Sequence, residues 1–304
     1  MKKFIVAGLL ASLIFQCQNN VNSSPTQSQN RISELDTITL INSVALSKID
    51  SLFDRTTIKK RLQNKIEQNK PLIVHLYVPL CDNDHQGIVP TTASLGNGLS
   101  LRTNLYWATS GGTKGYFKKR PKWKTVFNDF DIDTNVLERI VFERQYKNTT
   151  VFLVADAYRG DRMEETINNY LAAISNNRHE SIFLNDSTEL EIAGKSDLIM
   201  FNGHNGAMDA ITIKPWINAS AKRTDIVMNA CLTYEYLQNE FMQAGGYPLV
   251  RTNTLLYPGA YVLDQIITDW VAGTEEKQLC LNAGQAYCLK HNCGKGTKVY
   301  KTGW

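Results

Sequence analysis

The sequence lacks the features that assign a chain at sight to several common classes of protein. Its 33 Lys and Arg residues are almost balanced by 29 Asp and Glu residues, which leaves a formal charge of only +4 at pH 7. So small an excess is not the electrostatic signature of a nucleic-acid-binding protein. There is no internal repeat, and no apolar run beyond residue 16 approaches the length of a membrane span. We therefore expect no nucleic-acid partner.

Cysteine is scarce, and its spacing argues against a metal centre. The six cysteines are Cys17, Cys81, Cys231, Cys280, Cys288 and Cys293. None belongs to a Cys-x-x-Cys pair, and only His291 lies near the last three, which is poor spacing for zinc. We expect no metal and no cofactor. Disulfides form in exported proteins, and the pairing among the last three cysteines and Cys81 stays open.

The amino terminus has the pattern of a secretory signal. Met1-Lys2-Lys3 is followed by twelve uncharged residues, Phe4 to Phe15, an apolar core too short to span a bilayer. Residues 1–16 are therefore predicted to be a signal peptide. Because the segment ends at Cys17, it resembles a bacterial lipoprotein signal, which implies that Cys17 is acylated and anchors the protein to a membrane of the cell envelope. Two alternatives stay open: a periplasmic or secreted protein without the lipid, and an uncleaved anchor.

The rest of the chain divides into a tether and one domain. Residues 17–39 are polar and have few large apolar side chains, so burial cannot offset the entropy of ordering them, and they are predicted to be disordered. The chain has 304 residues and 43% hydrophobic composition, enough to bury one substantial core. Residues 40–304 are predicted to form a single α/β domain, with an insertion at about 81–130 and a C-terminal helical extension at about 272–304.

Apolar runs of strand length alternate with helical patterns. Continuous apolar runs are typical of parallel strands that are buried on both faces. The runs occupy 72–78, 150–155, 198–201, 226–230 and 249–250. Helices are predicted over 163–174, from Cys231 to a glycine cap at Gly245-Gly246, and from Pro258 onward. Alternating strands and helices predict an α/β fold, a three-layer αβα sandwich with a mainly parallel sheet.

Reactive side chains follow these runs, at the edge of the sheet where chemistry gathers in such folds. The segments are Cys81-Asp82-Asn83-Asp84-His85, Asp156-Ala157-Tyr158-Arg159, Gly203-His204-Asn205-Gly206 and Cys231. A histidine closing one strand and a cysteine closing the next lie at neighbouring strand ends, about 5 Å apart at the backbone. At that separation His204 can act as the base that generates a thiolate at Cys231.

Two motifs carry a resemblance to a known family. Leu-Ile-Met-Phe-Asn-Gly-His204 and Asp-Ile-Val-Met-Asn-Ala-Cys231 resemble the His-Gly and Ala-Cys strand ends of the caspase, gingipain and legumain group of cysteine peptidases. The resemblance implies a caspase-like sheet and a cysteine endopeptidase that acts on peptides or proteins. It also implies that Cys231 is the nucleophile and His204 the base. The oxyanion would then be met by the N–H of Cys231 and by an N–H in the turn of Asn205 and Gly206.

The determinants of specificity are left open by the sequence. The candidates for a substrate pocket are Asp82, Asp84, His85, Asp156 and Arg159. An acidic pocket favours basic substrate side chains, and Arg159 favours acidic ones. The basic and aromatic stretch at 114–124 is a second candidate surface, for an anionic partner, or else a solvated face.

Two other functions fit the same residues. The domain can be catalytically silent and bind a peptide or glycan at the cell surface. Alternatively, it is a structural envelope lipoprotein in which the Cys231 thiol is only part of the core. The position of the thiol relative to the His204 ring separates the last reading from the others.

Overall fold

The computed structural model describes residues 54–184 and 188–304. The predicted signal peptide at 1–16, the predicted tether at 17–39 and the start of the predicted domain lie outside the described residues. No helix in the described part combines the length and the apolar character that crossing a bilayer requires.

The strands and helices of the described residues have the following bounds. The strands are β1 (Leu72–Pro79), β2 (Lys124–Phe130), β3 (Val136–Gln145), β4 (Thr150–Tyr158), β5 (His179–Leu184), β6 (Thr188–Ala193), β7 (Leu198–Asn202), β8 (Thr224–Asn229), β9 (Gly246–Thr252) and β10 (Tyr300–Lys301). The α-helices are α1 (Thr56–Glu67), α2 (Thr113–Phe117), α3 (Met163–Ile174), α4 (Gln238–Ala244), α5 (Ala260–Val271) and α6 (Glu276–His291). A short 3₁₀ helix spans Gly206–Met208.

One mixed sheet forms the centre of the fold. Its eight strands run in the order β10-β9-β8-β7-β1-β4-β3-β2. The five from β9 to β4 are mutually parallel, whereas β3, β2 and β10 are antiparallel to their neighbours. The parallel strands are the five apolar runs, so the prediction of a mainly parallel α/β sheet is confirmed. Strand order reverses between β1 and β7, the position beside which open α/β sheets commonly bind ligands.

Helices cover both faces of this sheet. On one face Val74 and Leu76 of β1 share a core with Ile58 of α1 and with helices α5 and α6. On the other face Tyr77 packs with α3 and α4. Because successive strand residues point to opposite faces, an unbroken apolar strand has to be covered on both. The result is the predicted three-layer arrangement.

Helix α4 begins later than the sequence predicts. The chain forms turns after Cys231, and the helix starts only at Gln238. Leu232 and Leu237 have φ of 51° and 62°, a left-handed conformation that interrupts a right-handed helix. The predicted end is confirmed, since Gly245 caps the helix with φ of 77°.

A charged cluster is buried within the sheet. The guanidinium of Arg139 on β3 donates to both oxygens of Asp156 on β4, at 2.7 Å each, and also to Glu180 at 2.9 Å. His75 of β1 lies 3.0 Å from Asp156 through Nε2, while its Nδ1 accepts the Ala193 N–H at 3.1 Å. Since Nδ1 is an acceptor here, the proton of a neutral ring lies on Nε2 and is donated to the carboxylate.

A disulfide joins Cys288 and Cys293 at the end of α6. Of the pairings left open by the sequence, the structure therefore contains the one between near neighbours. Cys81, Cys231 and Cys280 are free thiols. Downstream of the disulfide, β10 pairs with β9 and completes one edge of the sheet.

Candidate functional site

Two adjacent parallel strands carry the two residues of the predicted reactive pair. β7 and β8 are paired in register, and their last residues, Asn202 and Asn229, are direct partners. His204 follows the first of these by two positions, and Cys231 follows the second by two positions. The two segments therefore leave the same edge of the sheet side by side, about 5 Å apart at the backbone.

Cys231 differs from the other free thiols in its surroundings. It is partly exposed, whereas Cys81 and Cys280 are buried. Its sulfur lies 3.4 Å from the N–H nitrogen and 3.5 Å from the carbonyl oxygen of Leu256, in the loop that follows β9. The Leu256 backbone therefore holds the Cys231 sulfur between one hydrogen-bond donor and one acceptor.

The His204 ring is oriented by a carboxylate. Its Nε2 lies 2.8 Å from Oδ2 of Asp209, and His204 is only 5% exposed. The same oxygen accepts the Gly87 N–H at 3.3 Å. With Nε2 donating to Asp209, the neutral ring has its lone pair on Nδ1, which is then the atom able to take a proton.

Asp209 is not among the residues singled out from the sequence. The available signal is its position, five residues beyond the histidine in the same loop. A carboxylate that orients a histidine base is a recurring arrangement in nucleophilic catalysis. Many Asp residues lie near a histidine in sequence without touching it, however, and only the turn at Gly206–Met208 brings this one back to the ring.

Asn205 ties the histidine loop to the cysteine loop. Its side-chain amide donates to the Cys231 carbonyl oxygen at 2.7 Å, and its Oδ1 accepts the Ala207 N–H at 3.2 Å. Asn205 is fully buried, and an unpaired amide in a buried side chain is costly. The side chain therefore fixes the relative positions of the two loops.

Gly206 allows the same loop to approach α3. A Cβ at this position would lie 2.2 Å from Cγ of Met163 and 3.1 Å from Cδ1 of Ile167. Within the described residues, the N–H groups of Gly206 and Cys231 donate to no backbone carbonyl. The Cys231 N–H, and the Gly206 N–H as one of the candidates in the turn of Asn205 and Gly206, are thus left uncommitted to backbone hydrogen bonds.

Both residues of the predicted pair, His204 and Cys231, line one cavity of about 600 Å³. That size is within the usual range of about 300–1,000 Å³ for small-molecule sites. Its lining comprises Cys81, Gly87, Ile88, Val89, Thr91, Leu105, Tyr106, Gly203, His204, Met208, Cys231, Leu255, Leu256, Tyr257 and Pro258. Most of the wall comes from the connection between β1 and β2 and from the loop after β9. The first of these leaves the sheet beside the point at which strand order reverses, and the second follows β9, on the far side of β8 from β7.

The second thiol in this cavity is held neutral. Burial raises the pKa of Cys81 to about 11, although the Tyr106 hydroxyl donates a hydrogen bond to its sulfur. Burial also raises the pKa of Tyr106 and that of Tyr257, which lie in the same wall. At neutral pH these three groups therefore carry no charge.

The acidic residues expected in a substrate pocket lie elsewhere. Asp82, Asp84 and His85 line a separate cavity of about 350 Å³, together with Asp161. His85 Nδ1 is 3.1 Å from both carboxylate oxygens of Asp82. Arg159 forms a two-point ion pair with Asp161, at 2.7 and 2.9 Å. None of these side chains lines the cavity of Cys231 and His204.

Asp156 lies inside the sheet. The apolar run before it suggests that the strand ends at Ala155, but β4 continues to Tyr158, and Asp156 is fully buried in its ion pair with Arg139. It contacts no cavity near the pair. Cys17, the predicted lipidation site, lies outside the described residues.

No protein-family model, curated protein or solved structure matches the chain. Among residues 54–184 and 188–304, no group of three His, Cys, Asp or Glu side chains is placed to hold a metal ion. The groups present at the site are the Cys231 thiol, the His204 imidazole and the Asp209 carboxylate.

Proposed function

We propose that this protein is an exported cysteine hydrolase of the caspase-like kind, a peptidase with Cys231 as nucleophile and His204 as base. The observation that supports this proposal most is the position of Cys231 and His204 in the fold. A partly exposed thiol and a histidine oriented by a carboxylate follow adjacent parallel strands and line one cavity.

The proposed reaction follows from these positions. The thiol proton passes to Nδ1 of His204, and the sulfur of Cys231 attacks the substrate carbonyl carbon. The carbonyl π electrons move to the oxygen, which the N–H groups of Cys231 and Gly206 stabilise. Collapse of this intermediate expels the amine, which takes the proton from His204, and leaves a thioester. Water, deprotonated by the same ring, then hydrolyses the thioester and regenerates the thiol.

Asp209 acts in this scheme as a positioning residue. Its bond to Nε2 holds the ring in the tautomer whose Nδ1 is free to accept a proton, and stabilises the imidazolium that forms. Asn205 is a second positioning residue, because its side chain bonds to the Cys231 backbone and holds the loop that begins there.

The test is the rate at which iodoacetamide alkylates Cys231 in the folded protein, followed by peptide mass mapping. We expect the modification to map to Cys231 and to disappear in Cys231→Ala. In His204→Ala the rate should fall by about 100-fold or more, the usual range for loss of a base. Cys280→Ala and His179→Ala are matched controls, because the first thiol is buried outside the lining of the Cys231 cavity and the second imidazole is exposed on β5. Both should react like the wild type.

Hydrolysis completes this test. Cleavage of a mixed peptide library by the wild type should be abolished in Cys231→Ala and His204→Ala alike. Hydrolysis that survives at full rate in Cys231→Ala refutes the assignment, as does modification at Cys81 or Cys280 in its place. Labelling that depends on His204 without any hydrolysis favours the second candidate, a silent domain that binds peptide or glycan. The near-complete burial of His204 is the observation on that side.

Anchoring is a separate proposal, which rests on the sequence. We propose that Cys17 is the acylated first residue of the mature protein and that 17–39 tether the domain to a membrane. Acyl chains add membrane affinity with each buried methylene. In detergent phase separation of expressing cells, the wild type should enter the detergent phase and Cys17→Ala should not. Cys81→Ala is the matched control, and unchanged partitioning of Cys17→Ala refutes the proposal.

A further inference from the structure

The walls of the cavity around Cys231 and His204 are almost wholly apolar. Ile88 and Val89 come from the connection after β1, as do Leu105 and Tyr106 further along it, and the loop after β9 adds Leu255, Leu256, Tyr257 and Pro258. In the described part of the chain, His204 contributes the only imidazole, and no Asp, Glu, Lys or Arg side chain belongs to the lining.

The rim of this cavity is apolar as well. Val89 is 91% exposed, Leu255 65% and Met208 38%. Exposed large apolar side chains are common singly, but a group of them around one opening indicates a surface that binds an apolar group. Here the opening is the mouth of the cavity that contains the thiol.

Asp209 and the charged residues that the sequence assigned to a substrate pocket are already committed to other partners or to another cavity. Asp209, behind His204, accepts hydrogen bonds from the ring and from the Gly87 N–H. Asp82 and Asp84 face the separate cavity described above, and Arg159 is neutralised by Asp161. A charged substrate group that entered the Cys231 cavity would therefore lose water without gaining a partner, which is costly.

We infer that the cavity takes a large aliphatic or aromatic side chain, that of the residue whose carbonyl carbon Cys231 attacks. This inference rests on the proposed function and adds the substrate class to it. The side chain next to the attacked carbonyl is the one nearest the thiol, and the apolar wall begins at the thiol itself. Acidic and basic residues at that position are excluded by the desolvation of their charge.

The experiment uses three peptidyl acyloxymethyl ketones that share the sequence Ala-Ala-X, where X is Leu, Asp or Lys. The rate of covalent labelling of Cys231 in the full chain is measured for each by intact mass and peptide mapping. We expect the Leu probe to react at least about ten-fold faster than either charged probe, since even single-methylene differences in apolar pockets give about 10- to 200-fold discrimination.

A variant tests whether the rim sets this preference. Leu255→Asp places a carboxylate at the mouth, and it should raise the rate of the Lys probe relative to the Leu probe. Ile217→Asp is the matched control, because Ile217 is 69% exposed and lies outside the cavity lining. It should leave all three rates unchanged. Both substitutions are at exposed positions, so folding is expected to survive.

The outcomes separate the inference from the proposed function. If the Asp or Lys probe labels Cys231 fastest, or the three rates are equal, the inference is overturned and the nucleophile stands. The inference also fails if Leu255→Asp leaves the ratio of Lys to Leu rates where the Ile217→Asp control has it. If none of the probes labels Cys231, the proposed function fails and the inference fails with it.

Discussion

Replacing Arg139 with Met should be among the most destabilising single changes in the described domain. Arg139 is 4% exposed and its partner Asp156 is 0% exposed. The two side chains meet through two bonds of 2.7 Å. Methionine keeps the length and apolar stem of arginine. The change therefore removes the charge while conserving most of the packing.

The expected loss of stability follows from the partners that Asp156 and Glu180 keep when Arg139 is removed. Without Arg139, Asp156 retains only His75 as a side-chain hydrogen-bond partner, and Glu180 loses one of its two arginine partners. Breaking a buried pair on one side costs about 3–5 kcal/mol, because the remaining charge is buried without compensation. At about 2–4 °C per kcal/mol for a domain of this size, Tm should fall by roughly 6–20 °C.

The assay is urea unfolding at pH 7, supported by thermal melts, with a matched arginine as control. Arg162 pairs with Glu165 at 3.2 Å, but the two side chains are 44% and 40% exposed. Exposed pairs contribute about 0–1 kcal/mol, so Arg162→Met should be close to neutral. Adding Asp156→Asn to Arg139→Met removes the stranded charge and should recover about 1–3 kcal/mol.

The difference in stability between wild type and Arg139→Met should depend on pH, and the direction of this dependence can be stated. Burial alone would raise the pKa of Asp156, but the charge and hydrogen bonds of Arg139 outweigh it and hold the pKa well below its usual value. A depressed carboxylate pKa stabilises the fold above the unfolded value of about 3.9, and this contribution is lost as the pH falls. The gap between wild type and Arg139→Met should thus be largest near neutral pH and narrow as the pH falls toward and below about 4. A loss at pH 7 no greater than that of Arg162→Met, or a gap that widens in acid, would refute the reasoning.

Three further predictions concern the site and its surroundings. Asp209→Asn reverses the hydrogen bond to His204, since the amide donates to Nε2 and puts the ring proton on Nδ1. The part of the pH–rate profile of Cys231 alkylation that depends on His204 should then disappear, and the alkylation rate should fall by about 10²–10⁴-fold. Asp209→Glu should restore part of this rate. Gly206→Ala forces a Cβ against Met163, and we expect thermal melts to show a loss of about 1–3 kcal/mol; an unchanged Tm contradicts the contact. Cys288→Ser removes the disulfide, and urea unfolding should show a loss of about 2 kcal/mol for so short a loop, with no further change on adding reductant.

The parallel strands of the core were predictable because the signal that marks each of them, a run of apolar residues, lies within a short stretch of sequence. Strands β1, β4, β7, β8 and β9 are buried on both faces, so each contains a run of apolar residues, and such a run is visible in the sequence even where a buried polar residue such as Asp156 follows it. The antiparallel strands give no such pattern. β3 carries Glu138 and Arg139 at buried positions, and these charges are acceptable only because Lys114, Trp107 and Asp156 meet them from distant segments.

The position of His204 and Cys231 at one edge of the sheet was predictable for a related reason. The end of an apolar run marks the end of a strand, and parallel neighbours end at the same edge, so His204 and Cys231 could be assigned to one place. Asp209 and the cavity walls depend on how loops fold back. Nothing local connects Ile88 or Leu255 to Cys231, because these residues approach only after β1 and β9 have been placed on either side of β7 and β8.

Asp156 shows where the strand-end argument fails. A polar residue after an apolar run has two explanations: the strand has ended, or the strand continues and the polar residue is paired with another charge inside the sheet. A short stretch of sequence looks the same in both cases. The sequence continues Ala157-Tyr158, which in hindsight favours the second case, since a tyrosine two positions on maintains the burial of one face. Deciding between them requires the complementary charge, and here it is Arg139, seventeen positions away on an antiparallel neighbour. The strand end that carries Cys231 raised no such ambiguity, because β8 holds its one acid, Asp225, at its beginning and ends at Asn229, directly opposite Asn202.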